Sequence, residues 1–216
     1  LMLSFNLVWG QNPDFDENFT SGNGYTPAPL PYDLSGNWSV LSNSPNSISR
    51  SCCAFLEIEG VPYLYQFGGG NSTNDLKRVA RLNLSNGTWQ NNYSTMPFQI
   101  SSGTAISING GTQILVFGGN SANSLGKTLL YNVISNTWQT KADMLTKITD
   151  ALVVKHSETN IIIIGGGDGY FGVNALKTNK VQIYNTASNT YSYSNDFPIE
   201  NAMLGGGLYR DTIITA

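Results

Sequence analysis

A short segment recurs along this chain about every 50 residues. It begins at Leu82, Tyr131 and Tyr184, and it runs through a strand-like stretch and a polar turn to an aromatic residue: LNLSNGTW, YNVISNTW and YNTASNTY. A fainter copy, YDLSGNW, precedes them. The aromatic positions of the four copies are Trp38, Trp89, Trp138 and Tyr191. A repeat of about 50 residues, built of short strands, predicts one small sheet for each period.

A second marker keeps the same interval and the same phase. Pairs of glycines follow the apolar stretches YQF, LVF and III, at Gly68 and Gly69, Gly118 and Gly119, and Gly165 and Gly166. Glycine at a strand end permits backbone conformations and close approaches that a Cβ atom forbids. The Trp and Tyr side chains supply large apolar areas where one sheet packs on the next. Both markers are therefore structural rather than catalytic.

One complete period predicts four strands, here lettered A to D from innermost to outermost. Residues 103–108 and 113–117 form A and B around an Asn-Gly-Gly turn, and residues 128–134 form C. Strand D starts at Trp138 and ends near Met144. Each stretch is short, bounded by Gly, Asn or Ser, and rich in β-branched and aromatic residues. We expect an all-β protein with almost no helix.

This pattern resembles the kelch repeat, in which a Gly-Gly pair after an apolar strand is followed by an aromatic residue and then a Trp. The resemblance covers residues 32–216, with complete repeats at about 48–97, 98–144 and 145–197 and partial ones at 32–47 and 198–216. It implies a β-propeller of four-stranded antiparallel blades, of the kelch and galactose-oxidase-like superfamily. The third repeat departs from the family pattern by having Tyr191 in place of Trp and a longer B–C loop.

Kelch-type rings usually have six or seven blades, so the resemblance implies a fragment of a longer protein. The alternative is a four-bladed ring, completed by strands from residues 32–42 and 198–216. Near the C-terminus, Gly205, Gly206 and Gly207 lie one strand too early to be the next glycine pair. We expect them within a strand A.

The N-terminus differs in character from the repeats. Residues 1–10 (LMLSFNLVWG) form an apolar run before a polar stretch, which indicates the tail of a secretory signal peptide. A buried β-strand is the alternative, since a membrane span needs about 20 apolar residues. Residues 11–31 contain several Pro and Gly residues and are interpreted as a leader or linker. We expect a secreted, periplasmic or cell-surface protein, which six Asn-x-Ser/Thr sequons also suit: Asn18, Asn37, Asn71, Asn83, Asn86 and Asn92.

The charge of the chain limits the classes of partner that it could bind. Net charge is −3 and only 12% of residues are charged, so the sequence shows no concentration of basic residues that would bind nucleic acid or an anionic membrane.

Cys52 and Cys53 are adjacent on a predicted inner strand, where neighbours point to opposite faces. We expect two small buried residues, with a strained vicinal disulfide as the alternative in an oxidising compartment.

A ligand is expected at the loops between strands B and C and the connections between D and A, which leave the sheets at one end. Long polar loops on a rigid scaffold commonly carry binding residues. The candidates are Asn74, Asp75, Asn123, Asp168, Tyr170 and Phe171. In the third of these loops, the hydrogen-bond acceptor Asp168 is close in sequence to the aromatic residues Tyr170 and Phe171. Such a combination suits a protein or glycan ligand. The alternative is a solvated loop whose aromatics fold onto the blade.

Catalysis has little support in this sequence. The chain has one histidine, His156, in a predicted A–B turn at the opposite end, and no nucleophile motif accompanies it. We therefore predict no catalytic residue, no metal site and no cofactor in these residues. The leading hypothesis is a secreted binding or scaffolding propeller. The alternatives are a carbohydrate-active enzyme of the same fold (a sugar oxidase, lyase or epimerase) with catalytic residues elsewhere, and a purely structural module.

Overall fold

The computed structural model describes residues 42–45, 48–70, 76–120, 123–168, 176–209 and 212–215. The chain divides into two compact units, and Ser42–Leu204 forms one of them. The segment Gly205–Ala216 belongs to the other unit. The described residues form mainly β-strands, and their helical content is a single 3-10 turn, Asn109–Gly111.

The larger unit contains three four-stranded antiparallel sheets, each formed from four consecutive strands. The first sheet comprises β1 (Cys52–Ile58), β2 (Val61–Phe67), β3 (Val79–Asn83) and β4 (Thr88–Gln90). The second comprises β5 (Thr104–Ile108), β6 (Gln113–Phe117), β7 (Thr128–Asn132) and β8 (Thr137–Thr140). The third comprises β9 (Leu152–Lys155), β10 (Asn160–Ile164), β11 (Val181–Asn185) and β12 (Thr190–Tyr193). The all-β class and the four-stranded antiparallel sheets are thus confirmed.

The C-terminal segment is a two-stranded antiparallel hairpin of β13 (Gly206–Tyr209) and β14 (Thr212–Thr215). Gly206 and Gly207 lie inside β13, where they pair with Thr215 and Ile214. They are part of a strand, as the sequence predicts, and not a glycine pair at a strand end.

Successive sheets of the larger unit pack on each other through two apolar cores. Their first strands are neighbours, β1 beside β5 and β5 beside β9. On β1, buried and exposed residues alternate, and the buried set (Cys52, Ala54 and Leu56) joins a core with Phe67 and Tyr131 between the first and second sheets. A second core between the second and third sheets contains, among others, Ile108, Leu115, Phe117, Ile161, Ile163 and Tyr184. Each sheet thus buries apolar side chains against the next.

The aromatic markers occupy the same register position in each sheet. Trp89 pairs with Leu82, Trp138 with Tyr131 and Tyr191 with Tyr184, across the third and fourth strands. The indole of Trp138 lies 4.7 Å from the ring of Tyr131 and packs edge-on against Phe67 of the first sheet, 5.7 Å between centroids.

The polar ends of these aromatics also find partners. The indole N–H of Trp89 donates to the carbonyl of Ser42 at 2.9 Å, and that of Trp138 donates to the carbonyl of Ser94 at 3.0 Å. Tyr191 instead makes a short hydroxyl–hydroxyl hydrogen bond with Thr128, which is fully buried in the second sheet. The change from Trp to Tyr therefore replaces a bond to a connecting segment with a bond to a neighbouring sheet. Trp38 lies outside the described residues.

The turn between the third and fourth strands explains why the strands end earlier than the sequence predicts. The side-chain carbonyl of Asn132 accepts hydrogen bonds from the N–H groups of Ile134 and Ser135, so β7 ends at Asn132 rather than at Ile134. Asn83 and Asn185 make the same bonds in the other two sheets. Strand β8 likewise ends at Thr140, before Met144.

The two adjacent cysteines have different environments. They point to opposite faces of β1, as expected for neighbours in a strand. Cys52 is buried and Cys53 is exposed, and both thiols are free. The expectation of two buried residues is wrong for Cys53. Burial raises the pKa of the Cys52 thiol, which leaves it neutral and unreactive at physiological pH.

Candidate binding face at the starts of the inner strands

The connections that enter the inner strands and the loops that follow the second strands lie at the same end of the sheets. Isolated antiparallel bridges join the two sets: Ser49 pairs with Gly70, and Thr149 pairs with Gly167. The N–H of Asn120 makes the corresponding bond to the carbonyl of Ser101, at 2.8 Å. We call this end, carried among the described residues by 48–51, 68–70, 76–78, 99–103, 118–120, 123–127, 147–151, 165–168 and 176–180, the candidate face.

The glycine pairs allow one sheet to approach the next at this face. Gly68 has φ +61°, and a Cβ added to it would lie 2.0 Å from the carbonyl oxygen of Ile100. The corresponding distances are 2.5 Å for Gly118 to the oxygen of Ile148 and 2.6 Å for Gly165 to that of Asn201. No side chain fits at these separations, so the first glycine of each pair sets the contact between successive repeats.

Four residues two or three positions before the inner strands share a left-handed backbone and are linked to one another. Their φ values are +58° at Arg50, +56° at Ser102, +54° at Asp150 and +61° at Met203. Each donates its backbone N–H to the carbonyl of the previous one: Ser102 to Arg50 at 2.8 Å, Asp150 to Ser102 at 3.0 Å, and Met203 to Asp150 at 2.8 Å. We call these four residues the inner ladder. It links the three complete repeats at the candidate face and continues to Met203 after the third.

Three of the four side chains of the inner ladder are polar, and two of them, Arg50 and Asp150, carry opposite charges. Partial burial raises the pKa of the Asp150 carboxyl above its usual value, while a hydrogen bond from the Ser102 hydroxyl and the positive charge of Arg50 oppose the rise. Arg50 and Met203 are exposed, the latter by 67%. A cation, a hydroxyl and a carboxyl therefore occupy equivalent positions in three successive repeats.

Two hydroxyl groups lie beside the inner ladder in the chain. Thr149 donates its hydroxyl to the carbonyl of Ser102 in a short, buried hydrogen bond. Ser101 is fully buried, and within the part of the chain that the structure describes its Oγ is the one buried side-chain polar atom that has no hydrogen-bond partner. Such groups are normally satisfied by water or a ligand.

Two of the six residues that the sequence analysis selected lie in the described part of this face. Asn123 is exposed in the turn before Ser124. Asp168 is half-buried, and its N–H donates to the carbonyl of Leu176 at 3.1 Å. The two lie on successive loops of the candidate face, those of the second and third sheets. Asn74, Asp75, Tyr170 and Phe171 lie outside the described residues.

Sequence reasoning missed Arg50, Ser102 and Asp150. A left-handed backbone is not predictable from sequence at residues other than glycine. The polar composition of the longer loops favoured those loops as the binding region instead. A signal does exist: the tripeptides Ile-Ser-Arg, Ile-Ser-Ser and Ile-Thr-Asp end at these three residues and keep the interval of the repeats. Aligning the repeats on this tripeptide would have identified the inner ladder.

His156 and the possibility of a metal site remain to be considered. His156 is exposed in the turn between β9 and β10, where its N–H donates to the carbonyl of Asn160. In the described ranges, no three or more His, Cys, Asp and Glu side chains are grouped as a metal site requires. Within the same ranges, no helix is long and apolar enough to cross a membrane.

Comparison with known proteins gives a similarity of fold. No family model matches the chain, and no curated protein matches its sequence. Among solved structures, the chain is similar to one titled "Structure of YjhT", with a TM-score of 0.68 and 17% sequence identity. The similarity covers 83% of this chain and 62% of the YjhT chain, so the region matched is less than two thirds of that protein. At this identity the likeness concerns the fold alone.

Proposed function

We propose that the chain is part of a secreted kelch-type β-propeller that binds a protein or glycan through its candidate face. The observation that carries the binding proposal is the inner ladder, which places exposed Arg50, buried Ser102 and half-buried Asp150 side by side from three repeats. Loops and connections on a rigid scaffold are where proteins usually bind ligands. A cation, a hydroxyl and a carboxyl suit the hydroxyl and carboxylate groups of glycans and peptides.

Three repeated features support the propeller. The inner strands of successive sheets are neighbours, the glycine pairs contact the next repeat in the same way, and the aromatic markers hold one register position. These relationships are those expected of four-stranded sheets repeated around a propeller axis. On β1, Phe55 points away from the second sheet and is 56% exposed. In a larger ring a further sheet would cover that side chain, which fits a longer parent protein.

Export is supported by the positions of the described sequons. Asn86 and Asn92 are exposed, and Asn83 is half-buried with its side-chain oxygen capping the turn after β3. Carrier asparagines at the surface are open to modification. Expression through a eukaryotic secretory pathway, followed by glycosidase treatment, tests this: a mass shift on treatment supports access at these sites, and an unmodified secreted product contradicts it.

The binding proposal is tested by glycan-array and peptide-array screening of the purified protein. We expect a ligand whose binding falls at least tenfold in Arg50→Gln and Asp150→Asn. The matched control is Lys155→Gln, which changes a charge at the opposite end of the sheets. A ligand that binds all three variants equally would place the binding function elsewhere.

A further inference from the structure

A cleft of about 370 Å³ opens between the second and third sheets, at the end opposite the candidate face. Its apolar lining includes Ile108, Leu115 and Leu130, which are almost fully buried. Its polar lining includes Gln113, Gln139, Lys141 and Glu158. The exposed surface of the cleft is more polar than apolar, because the apolar residues at its base are almost fully covered.

The equivalent space between the first and second sheets is filled. Arg81 lies with its guanidinium 4.2 Å from the ring centroid of Tyr63 and 5.3 Å from that of Tyr93. It also donates to the hydroxyl of Tyr65 at 3.0 Å and to the side-chain oxygen of Gln90 at 2.7 Å. One arginine and three tyrosines thus occupy this space.

Strand register identifies which residues replace them in the second sheet. Tyr63 pairs with Asn83 as Gln113 pairs with Asn132, so Gln113 takes the position of Tyr63. By the same register Leu115 takes the position of Tyr65, and Leu130 that of Arg81.

The connection after the fourth strand gives the remaining pair. Ser94 and Ala142 each donate a backbone N–H to the side-chain carbonyl of the turn asparagine in the following sheet, Asn136 or Asn189. They are therefore equivalent, and Lys141 takes the position of Tyr93. Four large side chains are replaced by smaller or more flexible ones, and the cleft is the space that remains.

The charges at the cleft favour an anionic ligand. Glu158 accepts the N–H of Asn109 at 2.6 Å and the ammonium of Lys155 at 2.9 Å, and these bonds, that of Lys155 first, lower the pKa of its carboxyl. Lys141 is half-buried, and among the described residues no carboxylate lies within 4.0 Å of its ammonium. The charge of Glu158 is therefore balanced by Lys155, which does not line the cleft. The positive charge of Lys141, which does line the cleft, has no such partner.

We propose that this cleft binds one pyranose unit of an acidic sugar, a hexuronic acid in particular. The side-chain amides of Gln113 and Gln139 bond the hydroxyl groups of the ring, which lies over the small exposed parts of Leu115 and Leu130. Lys141 pairs with the carboxylate. The cleft is a second site, separate from the candidate face, and does not depend on the function proposed for that face.

Titration of the methyl-labelled protein with methyl glucuronide tests the proposal. We expect shifts of the Ile108, Leu115 and Leu130 methyl resonances that saturate in the millimolar range, with methyl glucoside at least tenfold weaker. No shift of these methyls, or shifts confined to other surfaces, would overturn the site. Equal affinities for the two sugars would overturn the assignment of an acidic ligand.

Two variants separate binding from folding. Lys141→Gln should reduce the affinity for methyl glucuronide to that for methyl glucoside, while Glu59→Gln, which changes an exposed charge in the turn between β1 and β2 and outside the cleft, should leave it unchanged. Gln113→Tyr with Lys141→Tyr installs the side chains found at the filled position and should abolish the shifts. If this double variant does not fold, Lys141→Gln alone decides: unchanged glucuronide affinity in that variant would refute the site.

Discussion

Asp150 and Ser102 occupy the same position in successive repeats and are hydrogen-bonded to each other, N–H to carbonyl, at 3.0 Å. This backbone hydrogen bond between equivalent residues fixes the distance between the starts of successive inner strands. The side chains at these positions are therefore presented on a rigid, repeated frame, which favours preorganised binding.

The raised pKa of Asp150 gives a pH-dependent prediction. A carboxyl whose folded pKa lies above its unfolded value favours the fold at pH below about 4, and that contribution is lost as pH rises through the folded pKa. Asp150→Asn cannot ionise, and Asn tolerates the left-handed backbone. We expect its free energy of unfolding, relative to wild type, to increase from about pH 4 upward and then level off. Chemical denaturation at several pH values measures this, and a difference independent of pH would contradict it.

A pair of glycine substitutions separates steric clash from backbone strain. Gly68 and Gly110 have nearly equal φ values, +61° and +60°, but an added Cβ meets the Ile100 oxygen at Gly68 and nothing within 4 Å at Gly110. We expect Gly110→Ala to cost about 1 kcal/mol from strain alone, and Gly68→Ala about 3 kcal/mol or more. Equal losses in urea denaturation would show that the glycine pair does not fix the contact between repeats.

The sequence predicts local features well because they depend on neighbouring residues. Alternation and turn residues locate the strands, and the repeat places Trp89, Trp138 and Tyr191 in equivalent positions. Contacts between repeats are different. The approach of Gly68 to Ile100, the Thr128 partner of Tyr191 and the exposure of Cys53 all depend on how one sheet packs against its neighbour, which no local pattern contains.

The candidate site was predicted less well than the fold. The sequence placed the loops of Asn123 and Asp168 at the same end as the connections that enter the inner strands, as the structure does, but it did not identify the inner ladder. The ladder forms because short connections must cross from one sheet to the next, and that geometry acts on the backbone whatever the side chain. Residue type alone therefore gave no reason to select Arg50 or Ser102.

The turn asparagine of the second sheet supports a third prediction. The side-chain oxygen of Asn136 accepts the hydroxyl of buried Tyr131 at 2.7 Å and the N–H of Ser94 at 2.9 Å, and its φ is +53°. Asn136→Gly keeps the backbone conformation but leaves both donors unsatisfied, for a cost of about 2 kcal/mol. Adding Tyr131→Phe removes one of those donors. We expect the double variant to be more stable than the sum of the two single changes predicts, and strict additivity would argue against the bond.

The hydroxyl of Tyr191 is the basis of the last prediction. It bonds Thr128, whose side chain is fully buried in the second sheet, whereas the hydroxyl of Tyr193 bonds Thr146 at 2.8 Å on a ring that is 51% exposed. Burial raises the pKa of Tyr191, so the hydroxyl stays protonated at physiological pH. Tyr191→Phe leaves the Thr128 hydroxyl without this partner and should cost about 1–2 kcal/mol. Tyr193→Phe, the matched control, should cost less than about 0.5 kcal/mol because water replaces its bond.

A rescue experiment identifies the Thr128 bond as the cause of that loss. Thr128→Val keeps the side-chain shape but removes the hydroxyl, so in its presence Tyr191→Phe should cost nearly nothing, because neither partner is then left unsatisfied. Thermal or urea denaturation of the four proteins in this cycle gives the coupling between the two hydroxyls, which we expect to be about 1 kcal/mol. A coupling near zero would mean that Tyr191 stabilises the fold only through its ring.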